Sequence, residues 1–259
     1  MHDDFAPGTV WLVGAGPGDP ELLTRKAERL IRTADVVFYD ALVGAGVLGF
    51  VRGRCVYVGK RSGRHSKDQA SIDRLIVEAA LSGERVVRLK GGDPAIFGRA
   101  TEELEACRSA GVRVHICPGV TAASAAAADL GLSLTLRGTA RQLTLVTAHA
   151  RAGETLDLDW AKLADPDATL AIYMGKSAAA AVARGLIDAG LPGDTPALII
   201  ENASLATSTS FRTRLDLLAI VAATGVGNGP ATILIGNALA GETRRASGCS
   251  IGVSTRVAN

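Results

Sequence analysis

The chain has 259 residues, 47% hydrophobic and 21% charged, enough for one large or two modest soluble domains with cores of their own. A net charge of +2 and only 4% aromatics argue against a nucleic-acid partner, whose binding rests on basic fields and stacking surfaces. Four scattered cysteines (Cys55, Cys107, Cys117, Cys249) form no CxxC pair, so they read as buried, reduced thiols with neither a disulfide framework nor a metal site.

The first eight residues lack the basic and apolar regions of a signal peptide, and no apolar run is long enough to cross a bilayer. A cytoplasmic chain with no membrane partner is expected. Strand-like segments at 10–13, 36–39, 55–58, 85–89 and 112–117 are rich in Val and Ile and alternate little, as strands covered on both faces do. Helical patterns at 20–33, 67–81 and 99–110 lie between them, which predicts a mostly parallel sheet with crossover helices.

The first strand runs into Gly14-Ala15-Gly16-Pro17-Gly18-Asp19-Pro20. With Asp40 further on, this suggests a dinucleotide fingerprint. Pro17, however, removes an N–H that pyrophosphate would need, and Asp19 puts a negative charge where the third glycine belongs. Asp19-Pro20 is better explained as an N-cap and first helical residue. A nicotinamide oxidoreductase is thereby disfavoured. The loop suits a ligand without phosphates lying close to the main chain, or is simply a tight turn.

From 41 to 67 there is no acidic residue, while Arg52, Arg54, Lys60, Arg61, Arg64, His65 and Lys67 crowd the same span. The cations at 60–65 leave the C-terminal end of a strand, the end at which open α/β sheets bind ligands, so they imply an anionic substrate; a solvated surface is the plainer alternative. The next strand ends in Arg88-Leu89-Lys90-Gly91-Gly92-Asp93-Pro94, where Asp93 could take ribose hydroxyls or an amino group, or could close a turn. A third loop, Pro118-Gly119-Val120-Thr121-Ala122, leaves the last strand of this half. Three glycine loops at one sheet edge point to a single ligand pocket.

Beyond this loop the texture changes. An alanine-rich helix at 121–130 precedes strands at 143–147, 170–174, 197–201 and 233–235, helices at 177–189 and 216–223, and an exposed strand at 210–215. The expected division is a first α/β domain over 1–118, a second with more antiparallel character over 119–240, and a disordered tail over 241–259. His115 and His149 read as structural, Trp11 and Trp160 as packing residues.

Taken together, GAGPGDPELLT (14–24), YDALV (39–43), VGKRSGRH (58–65) with Gln69, RLKGGDP (88–94) and PGVTAASA (118–125) resemble the tetrapyrrole methylase family. Tyr173-Met174-Gly175 and Glu201-Asn202 also fit, and the similarity runs over about 9–240. The VGKRxGxH run selects the branch acting on uroporphyrinogen III, in its single-function form; the chain starts too close to its first strand for the dehydrogenase module of bifunctional relatives. The resemblance implies two α/β domains with the active site in the cleft between them. It also implies S-adenosylmethionine-dependent C-methylation of uroporphyrinogen III at two pyrrole positions, giving precorrin-2 and S-adenosylhomocysteine, and a homodimer.

By the same resemblance Asp40 is the proton acceptor, or settles positive charge on the ring. Lys60 is the proton donor, or equally holds a substrate carboxylate. The cofactor would touch Pro17, Gly91, Gly92, Asp93, Ile96, Thr121, Ala122, Met174 and Ala203. Arg61, Arg64 and His65 belong to the substrate mouth. Arg99 and Arg137 are further substrate candidates, with an exposed residue as the alternative for each. Ala95, Ala100-Thr101, Leu136 and Ala203-Ser204 depart from the usual pattern, which bears on pocket shape more than on the reaction. A later precorrin methylase, a diphthine synthase and a ribosomal RNA methyltransferase are the enzyme alternatives, and a non-catalytic sensor of S-adenosylmethionine or tetrapyrrole is the remaining one.

Overall fold

The structure is a computed structural model and describes residues 5–59, 69–149, 156–240 and 253–255. Contacts divide the chain into two compact units, Met1–Ala122 and Ala123–Asn259. The described part of the first unit carries one sheet: β1 (Thr9–Gly14), β2 (Val36–Tyr39), β3 (Arg54–Tyr57), β4 (Val86–Lys90) and β5 (Arg113–Cys117), in the order β3-β2-β4-β1-β5, with the short helix α2 (Ala45–Leu48) between β2 and β3 in sequence. Every pairing is parallel. All these strands therefore end at the same sheet edge, and the loops that follow them gather there.

Strand side chains point alternately to opposite faces, and both faces are covered. Val10 and Leu12 of β1 join Ile76 of α3 (Gln69–Leu81) and Cys107 of α4 (Ala100–Ser109). Trp11 and Val13 join Leu30 and Ile31 of α1 (Arg25–Thr33) on the other side. Full burial of each such Leu or Ile contributes about 1.5–3 kcal/mol, which is why the strands read as unbroken apolar runs. Trp11 also stacks on His115 at 4.7 Å between ring centroids, in keeping with the packing roles expected for both.

Two expectations need correction. The helix predicted over 20–33 is two pieces: Pro20–Leu22 is a 3-10 turn capped by Asp19, whose Oδ1 accepts from the Glu21 N–H at 2.9 Å. Leu23 and Thr24 are then extended, and Thr24 Oγ1 caps α1 by accepting from the Ala27 N–H at 3.1 Å. A second capping residue inside the pattern restarts the helix. Among the cysteines, Cys107 and Cys117 are buried, but Cys55 is exposed because β3 is an edge strand. Cys249 lies outside the described residues.

The second unit is mixed. β6 (Gln142–Thr147), β7 (Ala168–Tyr173), β8 (Pro196–Glu201), β9 (Thr209–Arg214), β10 (Ala231–Ile235) and β11 (Val253–Thr255) lie in the order β11-β9-β8-β10-β7-β6, with the short helix α6 (Trp160–Leu163) between β6 and β7 in sequence. Only β6 and β7 are parallel among these described pairings. The small side chains of Ala123 and Ala126 on α5 (Ala122–Asp129) pack with Ala171, Leu198 and Leu234. The opposite face packs Ile172, Ile199 and Ile233 with Val182 and Leu186 of α7 (Ala179–Asp188). Of the segment 241–259, the described residues Val253–Thr255 pair with β9, and the rest lies outside the described residues. No described helix is long and apolar enough to cross a membrane.

Candidate active site

At the C-terminal edge of the first sheet, three loops meet main chain to main chain. Gly16 N–H donates to Gly92 O at 3.2 Å, Gly92 N–H returns a bond to Gly16 O at 2.7 Å, and Ala15 N–H donates to Lys90 O at 2.8 Å. A Cβ added to Gly14 would stand 2.6 Å from Gly119 Cα and 2.7 Å from Gly92 O, and one added to Gly119 only 2.3 Å from Gly92 O. Glycine is therefore required at Gly14 and Gly119 by the close approach of the loops. Gly92 differs: its φ is +67° and a Cβ there would meet nothing within 4 Å, so the space over its Cα is open.

Asp93 ties two of the loops. Its Oδ1 accepts from the Ala95 N–H at 2.7 Å and its Oδ2 from the Gly119 N–H at 3.0 Å. Each oxygen retains a further lone pair. The turn-closing alternative is thus realised, and the carboxylate keeps capacity for a ligand. Pro17 lies half-buried in the first loop, and Thr121 and Ala122 half-buried in the third, at the start of α5.

Asp40 follows β2 at the same edge, its side chain 25% exposed. Oδ1 accepts from the Leu42 N–H at 3.0 Å, and Oδ2 accepts from Arg88 Nη2 at 2.7 Å. Arg88 is buried on β4, where its Nε donates to Glu103 Oε1 at 2.9 Å and its Nη1 to the Leu89 carbonyl at 2.7 Å. Lys90, also buried, donates to Glu103 Oε2 at 2.7 Å. Burial opposes charge on Arg88, but Glu103 and Asp40 outweigh it and hold the guanidinium above its usual range. Burial pulls the Lys90 ammonium below its usual range, Glu103 counters that pull, and the Arg88 charge adds to it. The sequence reading missed this network. A signal was present: Ala100, Glu103 and Cys107 form one buried stripe of α4, and a carboxylate inside such a stripe demands partners.

The other expected residues divide clearly. Lys60, Arg61, Arg64 and His65 lie outside the described residues. Ile96 sits half-buried in the turn after Asp93, its N–H donating to Asp93 O at 3.1 Å. Arg99 is exposed at the N-cap of α4 with φ 55°, and its guanidinium forks onto Glu102 through two bonds of 2.8 Å. Arg137 is exposed in the second unit between α5 and β6.

In the second unit, Met174 follows β7 and Ala203 follows β8. Met174 has φ 54°, and Ala203 is flanked by Asn202 at 54° and Ser204 at 70°, all left-handed without being glycine. Such positions cost about 1–2 kcal/mol each and persist where surroundings fix them. Two carboxylates hold the loops around Ala203: Asp129 Oδ2 accepts from the Ser204 N–H at 2.7 Å, and buried Glu201 accepts from the N–H groups of Gly227 and Gly229. Neither anchor was anticipated from the sequence.

The family model for tetrapyrrole (corrin/porphyrin) methylases matches residues 9–219. The chain is 46% identical over 237 residues to the chloroplastic S-adenosyl-L-methionine-dependent uroporphyrinogen III methyltransferase of Arabidopsis thaliana, with 90% of this chain and 64% of that protein covered. It is also 46% identical over 235 residues to the uroporphyrinogen-III C-methyltransferase of Paracoccus denitrificans, with 90% and 82% covered. The chain spans about half (49%) of the siroheme synthase of Gluconobacter oxydans, to which it is 46% identical over 88% of its own length. The crystal structure of a uroporphyrin-III C-methyltransferase from Thermus thermophilus complexed with S-adenyl homocysteine aligns at 39% identity and a TM-score of 0.76, covering 89% of this chain and 98% of that one. A parallel α/β unit with interlocked glycine loops, a mixed second unit, and these likenesses over most of the chain together make it a member of the tetrapyrrole methylase family.

Proposed function

We propose that the chain is an S-adenosylmethionine-dependent C-methyltransferase that adds methyl groups at two pyrrole positions of uroporphyrinogen III, giving precorrin-2 and S-adenosylhomocysteine. The observation that carries this reading is Asp40, a partly exposed carboxylate at the ligand edge of the sheet, aimed by one backbone N–H and one guanidinium nitrogen. Likeness to relatives named for that reaction supports it.

The residues present fit the cofactor. Open space over the Gly92 Cα suits close approach by a nucleoside, Asp93 has lone pairs to spare for hydroxyls, and Pro17 withholds the N–H that a phosphate would seek. Pro17, Gly91, Gly92, Asp93, Ile96, Thr121 and Ala122 would hold it, and Met174 and Ala203 are proposed as further contacts by resemblance. When bound, it supplies a methyl group on a sulfonium, which is displaced without need of a metal. The chain's own residues position the substrate and handle protons, and positioning supplies much of the rate in a displacement. Asp40 takes the proton that leaves the methylated ring, as a general base held in place before the reaction. Lys60 delivers a proton or grips a substrate carboxylate, with Arg61, Arg64, His65, Arg99 and Arg137 as further grips on this carboxylate-rich substrate. The working form is taken to be a cytoplasmic homodimer that binds neither nucleic acid nor membrane.

Anaerobic incubation with uroporphyrinogen III and methyl-labelled S-adenosylmethionine, read by mass spectrometry, tests this directly. Two successive methyl increments, lost in Asp40→Ala, are expected. No increment from a protein that still binds S-adenosylhomocysteine would redirect the reading to another tetrapyrrole substrate or to a sensor.

A further inference from the structure

The network behind Asp40 has a charge pattern that methyl transfer alone does not require. Arg88 and Lys90 are only 5% and 6% exposed, and they stand two apart on one strand, hence on the same face. Both reach a single carboxylate, Glu103, which is 1% exposed. Two buried cations share one buried anion, so one positive charge is left over; Asp40 meets it at Arg88, and Asp73 acts on Lys90 and Glu103 from α3. In the register of the sheet Arg88 lies beside Phe38, two residues before Asp40, so the guanidinium bridges from the helix carboxylate to the strand end. Its far side is fixed by Glu103 and by the Leu89 carbonyl, which leaves Nη2 as the nitrogen that touches Asp40.

We propose that Glu103 is a positioning residue for Asp40. It absorbs the charge of Lys90 and locks Arg88, so that the Asp40 carboxylate meets one guanidinium nitrogen and keeps its remaining lone pairs for the substrate proton. This rests on the reading that Asp40 accepts that proton: a C–H bond at a bridging carbon of the methylated macrocycle breaks, its electron pair neutralises the positive charge left by methyl transfer, and the proton joins an Asp40 oxygen. Without the Glu103 charge, Arg88 is left with Asp40 as its one carboxylate partner among the described residues, and Lys90 keeps only the more distant Asp73 and Asp40 to balance it. The Asp40 lone pairs are then drawn inward and away from the substrate.

The test is a double-mutant cycle on the full chain, reading kcat and KM with uroporphyrinogen III together with S-adenosylhomocysteine affinity by calorimetry. Glu103→Gln is expected to lower kcat by about tenfold or more while KM and the calorimetric affinity stay within about twofold. Placed on Asp40→Asn, the same change should lower the residual rate by no more than about twofold, because residues that act through one group are not additive. Adding Lys90→Met to Glu103→Gln removes the surplus cation and leaves an amide oxygen to accept from Arg88, so kcat should return to within about threefold of the parent.

An equal tenfold loss in both Asp40 backgrounds overturns the proposal. So does an unchanged kcat in Glu103→Gln when Asp40→Asn is slowed relative to the parent. If Glu103→Gln fails to fold, the charge-balanced pair decides: restored turnover supports the proposal, and a folded but slow enzyme overturns it. A parent that binds S-adenosylhomocysteine yet gives no methyl increment removes the underlying reading, and the role of Glu103 with it.

Discussion

The two units shape their strand-end loops with different emphasis, although left-handed residues with side chains also occur in the first, at Phe97 and Arg99. In the first, loops at the strand ends come together by having no side chains: Gly14, Gly92 and Gly119 meet through backbone atoms, and bonds between Gly16 and Gly92 close the junction. In the second, the residues that end strands carry full side chains in left-handed backbone, at Met174, Asn202 and Ser204, and carboxylates from Glu201 and Asp129 hold the neighbouring loops. The first arrangement leaves no room for an added atom at Gly14 or Gly119. The second contains conformational strain that a smaller residue would relieve.

The sharpest way to break this contrast lies within the first unit. Gly119→Ala should destabilise by about 3 kcal/mol or more, the upper range for overpacking, because the new methyl would meet backbone that cannot swing aside. Gly92→Ala should lose only about 1–2 kcal/mol, from left-handed backbone alone, since the methyl would enter open space. Denaturant midpoints measure both, and equal losses would remove the interlock as an explanation.

Met174→Gly sharpens the other side. Its side chain is 47% exposed and its φ is 54°, so relief of strain should outweigh lost packing and raise stability by about 0.5 kcal/mol. A fall in melting temperature would show that Met174 contributes packing which its exposure hides.

The smallest effect is expected at the opposite end of the first sheet, where Asp35 accepts three bonds from Arg85. Side-chain and backbone bonds from Arg85 hold the Asp35 carboxyl below its usual value of 3.8. A carboxyl depressed in the folded state stabilises fully above its unfolded value, and that contribution fades as pH falls through the folded value. The melting-temperature gap between the parent and Asp35→Asn should therefore be constant from about pH 7 to pH 5 and close below about pH 4. A gap that persists in acid would point to shape rather than charge.

Much of this was readable beforehand, for physical reasons that differ by element. The strand expected over 36–39 matches β2 residue for residue, because burial on both faces leaves an unbroken apolar run between polar ends. The four-residue helices Ala45–Leu48 and Trp160–Leu163 are too short to display a helical period. The glycine loops were legible because close backbone contact leaves only one residue type. The Arg88–Glu103–Lys90 network is harder to read: the apolar stripe of α4 marks Glu103 as buried, but its partners lie 13 and 15 residues away in sequence. Left-handed backbone at Met174 and Ser204 likewise has no signature in the sequence, whereas Asn202 belongs to a type that tolerates it.

The junction of Gly14, Gly92 and Gly119 also limits how this protein can change over generations. A crowded contact between ordinary side chains can be repaired when a neighbour shrinks. At Gly14 and Gly119 the neighbours are already glycine and carbonyl oxygen, and nothing smaller exists. An enlarged residue there can be accommodated only by shifting a whole loop, and with it the floor on which the proposed cofactor would rest. Variation in what the protein recognises should therefore arise in side chains around the junction, while the junction itself stays still.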